Sequence, residues 1–339
     1  MDTLCQQVKN DYERLQSLTD CFFLEYDKAQ KTNDRPALKR LKRELEIAYQ
    51  ELEVKLIVSI NEARETLGEE MVLGPEEITN AFGFEVKESE IPPIPYSREE
   101  LEKAKELGEQ LILRVSHDGE GKPMTLKRIH EIVDDRRDWD IDGSGFFYTY
   151  KGKNEDYYKN DPLKTEWKLV GGSYIPDVTS LKNKKVDYTK GAHDRSYIEQ
   201  TKLLREYLKA VGLLTKEEEQ ECSDETLKKL SEQMGIDWDT CKVTNSVKNN
   251  ANWKNVGYQL AMLQINLNHR RSATEIVFDW VLRFMKYKNS GFLKAYADWS
   301  RSFSEGEIVV VACKTDKGVV SFDKMKPQHR LITGVVSQR

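Results

Sequence analysis

The chain has 339 residues, of which 38% are apolar and 33% charged, with a formal net charge of −5, which suits a chain of up to two domains with a buried core. No apolar run approaches the roughly 20 residues that a membrane-spanning helix needs, and the opening MDTLCQQVKNDYERL has neither the basic nor the apolar region of an export signal. An acidic balance also argues against general nucleic-acid binding, which needs a basic face to displace counterions. Residence in the cytoplasm is the expectation, with display at a cell surface left open.

Residues 1–85 are expected to form a helical hairpin or coiled coil. Turn chemistry at Asn33, Asp34 and Pro36 separates two helices, and in the second Leu38, Leu41, Leu45, Ala48, Leu52, Leu56, Ile60, Ala63 and Leu67 recur every three or four residues. Such a stripe must be covered, either by a second copy of the chain or by the rest of the protein. Gly74-Pro75 opens a short helix, PEEITNAF. Residues 86–96 carry Pro92, Pro93 and Pro95 and read as a stiff extended linker.

From residue 97 onward the pattern is mixed. Ser97 and Glu100 form a capping box before a helix that runs into the strand-like Leu111–Val115. MTLKRIHEIV reads as amphipathic helix, and SGFFYTYKG and WKLVGGSYIP as short strands bounded by Gly and Pro. Helical spacing returns over about 195–262. SATEIVFDWVLRFMKY then places Ile276, Val277, Trp280, Val281 and Phe284 on one side of a last long helix, and SGFLKAYADW reads as a short one after it.

The tail is different in kind. Ile308–Ala312 and Val319–Phe322 read as two strands of a hairpin whose loop contains Gly318, and GVVSQR as a third strand. Strands near Leu111–Val115, Trp167–Val170, Ile308–Ala312, Val319–Phe322 and Gly334–Ser337 are expected to share one antiparallel core. From Arg301 to Arg339 there are seven Lys/Arg against four Asp/Glu, so an acidic protein ends in a basic segment.

Local motifs for chemistry are weak. Asp138, Asp140, Asp142 and Gly143 begin a D-x-D-x-D-G calcium loop, but position 12 is Thr149 where a bidentate Glu is needed, and a turn between strands is the better reading. The five histidines (His117, His130, His193, His269, His329) have no partners at metal-ligand spacing. Phosphate-loop, nucleophile-elbow and H-E-x-x-H patterns are missing, so no metal or cofactor is expected and the balance tilts away from an enzyme. Cys5, Cys21, Cys222, Cys241 and Cys313 show no C-x-x-C pair and read as free thiols, although Cys222 and Cys241 could bridge in an oxidising compartment. Residues 249–272 combine Trp253 and Tyr258 with Asn, Lys and Arg, as a strand of nucleic acid would require. Leu260, Leu263, Ile265 and Leu267 favour a helix end and connecting loop there instead.

The blocks IPYSREELEKAKELGEQLILRVSHDGEGKPMTLKRIHEI, EWKLVGGSYIPDVTS, NHRRSATEIVFDWVLRF and DWSRSFSEGEIVVVACKTDKGVVSF…GVVSQR together carry a resemblance. They resemble a family of uncharacterised proteins from small-genome bacteria and archaea, whose tails are similar to the variable regions of diversity-generating retroelement targets. The resemblance implies an α+β chain with a C-type lectin-like domain over residues 97–339, containing a helical insertion at about 195–262 and a variable region at about 300–339. It implies scaffold positions at Trp299, Ser300, Gly306, Ile308, Val309, Val311, Gly318, Pro327, Gly334, Val335 and Arg339. The interspersed Lys314, Lys317, Asp323, Lys324, Lys326, Gln328, His329 and Arg330 are then the ligand-binding face, with Glu307 and Cys313 among the other mixed positions. The implied partner is a protein or other macromolecule, with an acidic surface favoured by the local charge. Two rival readings remain: a structural or oligomerisation protein acting through the coiled coil, and an enzyme related to formylglycine-generating enzymes, for which Cys313 has no companion.

Overall fold

The computed structural model describes residues 26, 35–36, 39–40, 42–43, 58–134, 155–172, 175, 195–238, 253–287, 296–304, 307–314, 319–327 and 336–339. Most of the Leu/Ile stripe, including Leu45 and Leu52, lies outside them, as do Asp138, Asp140, Asp142, SGFFYTYKG and Cys241. The chain divides into two units, residues 1–66 with 93–102 and residues 67–92 with 103–339. Among the described residues no helix is long and apolar enough to cross a membrane.

In the first unit, helix α1 (Ile60–Leu67) has its own start. Ser59 and Glu62 satisfy each other's backbone N–H groups at 2.8 and 3.2 Å, a capping box. Val58 pairs with Ile94 in an antiparallel bridge. The stripe read as one helix from Leu38 to Leu67 is therefore interrupted at Val58–Ser59, because a cap and a bridge outcompete continued helical spacing. Ser97 and Glu100 form the capping box expected of them.

The second unit opens with β1 (Val72–Leu73) and α2 (Pro75–Phe82). Pro75 sits at the first helical position, where its missing N–H costs nothing. Gly83 ends the helix at φ 77°, the left-handed conformation glycine adopts without penalty. After α3 (Arg98–Leu107), strand β2 (Glu109–Arg114) runs parallel to β1 and antiparallel to β3 (Glu166–Gly171), giving the order β1-β2-β3. Between them lie α4 (Leu126–Asp134) and α5 (Asp156–Asn160). Within this unit the Trp167 indole donates to the Pro92 carbonyl at 2.9 Å.

Among the described residues five helices follow: α6 (Tyr197–Ala210), α7 (Lys216–Glu221), α8 (Asp224–Gln233), α9 (Trp253–Ala261) and α10 (Gln264–His269). Ser196, Thr215 and Ser223 cap the first three by accepting from the N–H three residues on. Helix α11 (Ala273–Tyr287) comes next, then a second sheet of β4 (Tyr296–Ser304), β5 (Glu307–Lys314) and β6 (Val319–Met325) in the order β4-β5-β6.

Three expectations are corrected. Tyr296–Trp299 belongs to a strand and not to a helix: it pairs with Val310–Cys313, and the ladder overrides the local spacing. Among the described residues the expected single antiparallel core is two three-stranded sheets, one of which contains a parallel pair. Among the described residues of the tail, the last segment is the one that reaches the sheet of β2, where Leu169 and Arg339 exchange backbone hydrogen bonds at 2.9 and 3.1 Å and Gly171 donates to Ser337 at 2.9 Å. Ile308–Ala312 and Val319–Phe322 pair antiparallel as the expected hairpin, with Val311 opposite Phe322 and Ile308 opposite Met325.

The run Ile308-Val309-Val310-Val311 is buried at every position. Ile308 and Val310 join a core with Trp299, α6, α8 and α9, so the helices between residues 197 and 261 are part of the packing around this sheet. Helix α11 packs against β4 and β5, and also against α2 and β2. A central strand covered by side chains on both faces needs an unbroken apolar run, in place of the alternation of a half-exposed strand.

Candidate functional site

The tail sheet is built around a bulge. The register of β4 on β5 shifts between Trp299 and Phe303, and the bulge turns Ser300, Arg301 and Ser302 to separate tasks. Ser300 Oγ donates to the Val309 carbonyl at 2.6 Å, and Ser302 Oγ accepts from Ala273 N–H at 2.9 Å, satisfying an orphan donor at the start of α11. Arg301 reaches the Arg270 carbonyl at 2.6 Å and Glu275 at 2.8 Å. Trp299 is fully buried, edge-on to Tyr197 with centroids 5.6 Å apart.

Of the scaffold positions, Trp299, Ser300, Ile308, Val309 and Val311 are all fully buried. Pro327 is also buried, and its carbonyl accepts from Tyr197 N–H at 3.0 Å. It lies against Gly257, where a Cβ would come within 3.0 Å of the proline ring, so the missing side chain lets the tail approach α9 closely. Gly306, Gly318, Gly334 and Val335 lie outside the described residues.

Of the eight mixed positions, Lys317, Gln328, His329 and Arg330 lie outside the described residues, and Lys314 and Asp323 are placed by their backbones opposite Val319 and Val310. Lys324 and Lys326 are half-buried and go to different partners. Lys324 Nζ meets Glu155 Oε1 at 2.8 Å, and the same carboxylate accepts from Ser304 Oγ. The Lys324 bond and then the Ser304 bond hold the Glu155 carboxyl below its ordinary value. Lys326 Nζ stands 4.9 Å from the centroid of Trp253, over the indole face.

Beneath this surface lies a charge network the sequence reading missed. Arg114, fully buried in β2, donates Nε to Asp279 Oδ1 at 3.0 Å, Nη2 to Oδ2 at 2.7 Å and Nη1 to Gln338 Oε1 at 2.9 Å. Arg271 bridges Asp279 and Asp298 at 3.0 and 2.9 Å. Glu275 lies 3.1 Å from Arg114 and 2.8 Å from Arg301. Burial raises the Asp279 and Glu275 carboxyls, but the guanidinium charges, led by Arg114, outweigh it and the net shift is downward. At Asp298 burial wins over Arg271 and the carboxyl is raised. The signal was present in the sequence, since Arg114 interrupts LILRV and Asp279 interrupts IVFDWVL. Charges inside apolar runs mark buried pairs.

This network also holds the chain's end. Gln338 accepts from Arg114, donates its side-chain amide to the Arg270 carbonyl at 3.0 Å and its backbone N–H to the His269 carbonyl at 3.1 Å. His269 contacts the Gln338 carbonyl at 2.9 Å and Glu218 at 3.1 Å, while Arg339 pairs with Glu109 at 2.9 Å. A cleft of about 460 Å³ opens beside these residues, lined in part by Asp161, Glu218, His269, Glu275, Arg301 and Arg339. Glu218 is bonded to His269, Glu275 to Arg301, and Arg339 to Glu109, so much of the polar wall is already engaged within the protein.

His130 is buried and bonded to the Tyr158 hydroxyl and to Asp134 at 2.6 Å. Cys222 is a buried free thiol that desolvation pushes up to about 12, so it stays protonated at neutral pH and is a poor nucleophile. Among the described residues no three His, Cys, Asp or Glu side chains are grouped to hold a metal ion. No family model, curated protein or solved structure matches the chain.

Proposed function

We propose that this is a ligand-binding protein that presents its C-terminal segment, about residues 300–339, as a diversified surface on a C-type lectin-like scaffold, in the manner of a diversity-generating retroelement target. The observation that carries the reading is that this segment is pinned on both sides of its mixed positions. Before them, Trp299, Ile308, Val309 and Val311 are buried in the tail sheet; after them, Gln338 is locked by Arg114, Arg270 and His269. Gln328, His329 and Arg330 fall in sequence between the Pro327 anchor and the Gln338 anchor. Binding is favoured over catalysis because Cys222 is kept protonated and much of the cleft's charge is neutralised internally.

A paired library tests this. One set randomises Lys314, Lys317, Asp323, Lys324, Lys326, Gln328, His329 and Arg330; the other randomises Trp299, Ile308, Val309, Val311 and Gln338. Soluble, folded protein should survive in most of the first set and be lost from the second. Equal loss in both sets overturns the reading. The encoding DNA supplies an independent check, a near-identical template repeat beside a reverse transcriptase gene.

A further inference from the structure

We propose that the binding surface has a constant half, supplied by α9 and β4 beside the diversified segment, and that it receives an acidic, aromatic-rich stretch of a partner protein. The inference rests on the display reading and extends it to residues outside the tail. Tyr258 is 50% exposed, the most exposed large hydrophobic residue of the second unit among the described residues, and its ring meets Phe303 edge-on at 5.8 Å. Five residues back, at the start of α9, stands Trp253, with Lys326 Nζ 4.9 Å and Lys254 Nζ 5.7 Å from its centroid. Pro327 and Phe303 both pack on Gly257, between Trp253 and Tyr258 in the chain, so the two aromatic groups flank one contact of the tail with α9.

Charge decides what this patch is suited to. Among the described residues neither Lys254 nor Lys326 has a carboxylate partner, whereas Lys324, two residues away, is paired with Glu155. Two unneutralised ammonium groups over one indole, next to an exposed tyrosine, offer cations and flat apolar faces together. Carboxylates can pair with the lysines while neighbouring rings stack on Trp253 and Tyr258. A nucleic-acid strand would match the same groups locally. It is disfavoured because it carries negative charge along its whole length past a chain of net charge −5, while an acidic protein segment can be local. Trp253, Lys254 and Tyr258 stand before the variable region, so diversification of the tail would leave these three in place and alter only the share of the contact that Lys326 adds.

The probe is a fluorescein-labelled random Glu–Tyr polymer, titrated with the full chain and followed by anisotropy at about 50 mM and about 300 mM NaCl. Wild-type protein should bind, and more weakly at high salt. K254E/K326E should weaken binding about tenfold or more at low salt, and Y258A several-fold, with melting temperatures unchanged. Lys254 and Tyr258 are exposed, so K254E and Y258A alone serve if the double variant folds poorly. Absence of wild-type binding, or equal binding by these variants, overturns the proposal. So does tighter binding of a labelled oligodeoxythymidylate that the same variants abolish, which would mark a nucleic-acid surface. Replacing Gln328, His329 and Arg330 by alanine separates the two readings. If only these changes alter binding, the display reading stands and the constant half falls; if only the α9 changes do, the reverse holds.

Discussion

Arg114 and Asp279, 165 positions apart in the chain, meet through two parallel hydrogen bonds of 3.0 and 2.7 Å with both side chains fully buried. The pair ties β2 to α11, and Arg271, Glu275 and Gln338 extend the tie to β4 and the chain terminus. Removing one partner leaves an uncompensated charge in the interior. Asp279→Ala should therefore cost about 3–5 kcal/mol, read as a lowered midpoint in urea unfolding. A change smaller than that of an exposed control such as Lys254→Ala would show that the pair carries no weight.

The same pair sets the response to acid. Asp279 and Glu275 have folded values below their unfolded ones, so their contribution is fully present above the ordinary carboxylate range and is lost as pH falls through it toward their depressed folded values. Asp298 has the opposite sign: its raised folded value favours the folded state as pH falls from that value toward the unfolded one. Urea midpoints measured from neutral to acid pH should fall in the wild type. The acid limb should be shallower in Asp279→Asn, and a profile parallel to wild type would refute the assignment.

Tail positions should separate by burial. Ile308→Ala, at a fully buried site against Trp299 and α9, should cost about 2–5 kcal/mol. Lys326→Ala should change stability by no more than about 0.5 kcal/mol. Thermal melts of the two variants decide the point, and similar losses would mean that the tail tolerates no more change than the core.

Cys222 should resist alkylation. With its thiol buried and pushed up to about 12, iodoacetamide at mildly alkaline pH should leave it unmodified in the native protein and label it fully in denaturant. Peptide mapping by mass spectrometry distinguishes it from the other four cysteines. Rapid native labelling at Cys222 would show that the α6–α8 core opens readily.

Local order was legible wherever a residue's role depends on close neighbours in the chain. Ser97 with Glu100 marks a helix start, Pro75 opens a helix, and the two β-branched runs of the tail pair as a hairpin. The spacing of Ile276, Val277, Trp280, Val281 and Phe284 shows one buried face of α11, yet Glu275, Asp279 and Arg283 on the remaining surface are buried too. Periodicity reports apolar faces; it cannot report that a charged face is covered, because the covering groups lie on β2, on β4 and at the chain's end. Tyr296–Trp299 has helical spacing and becomes strand because β5 offers a ladder, and Val72–Leu73 becomes strand through its parallel pairing with Leu111–Ile112. The division into two sheets, the docking of Gln338 and the gathering of Trp253, Tyr258 and Phe303 beside Lys326 depend on contacts between segments far apart in the chain. Their free energy comes from burial and pairing that exist only once those segments have met.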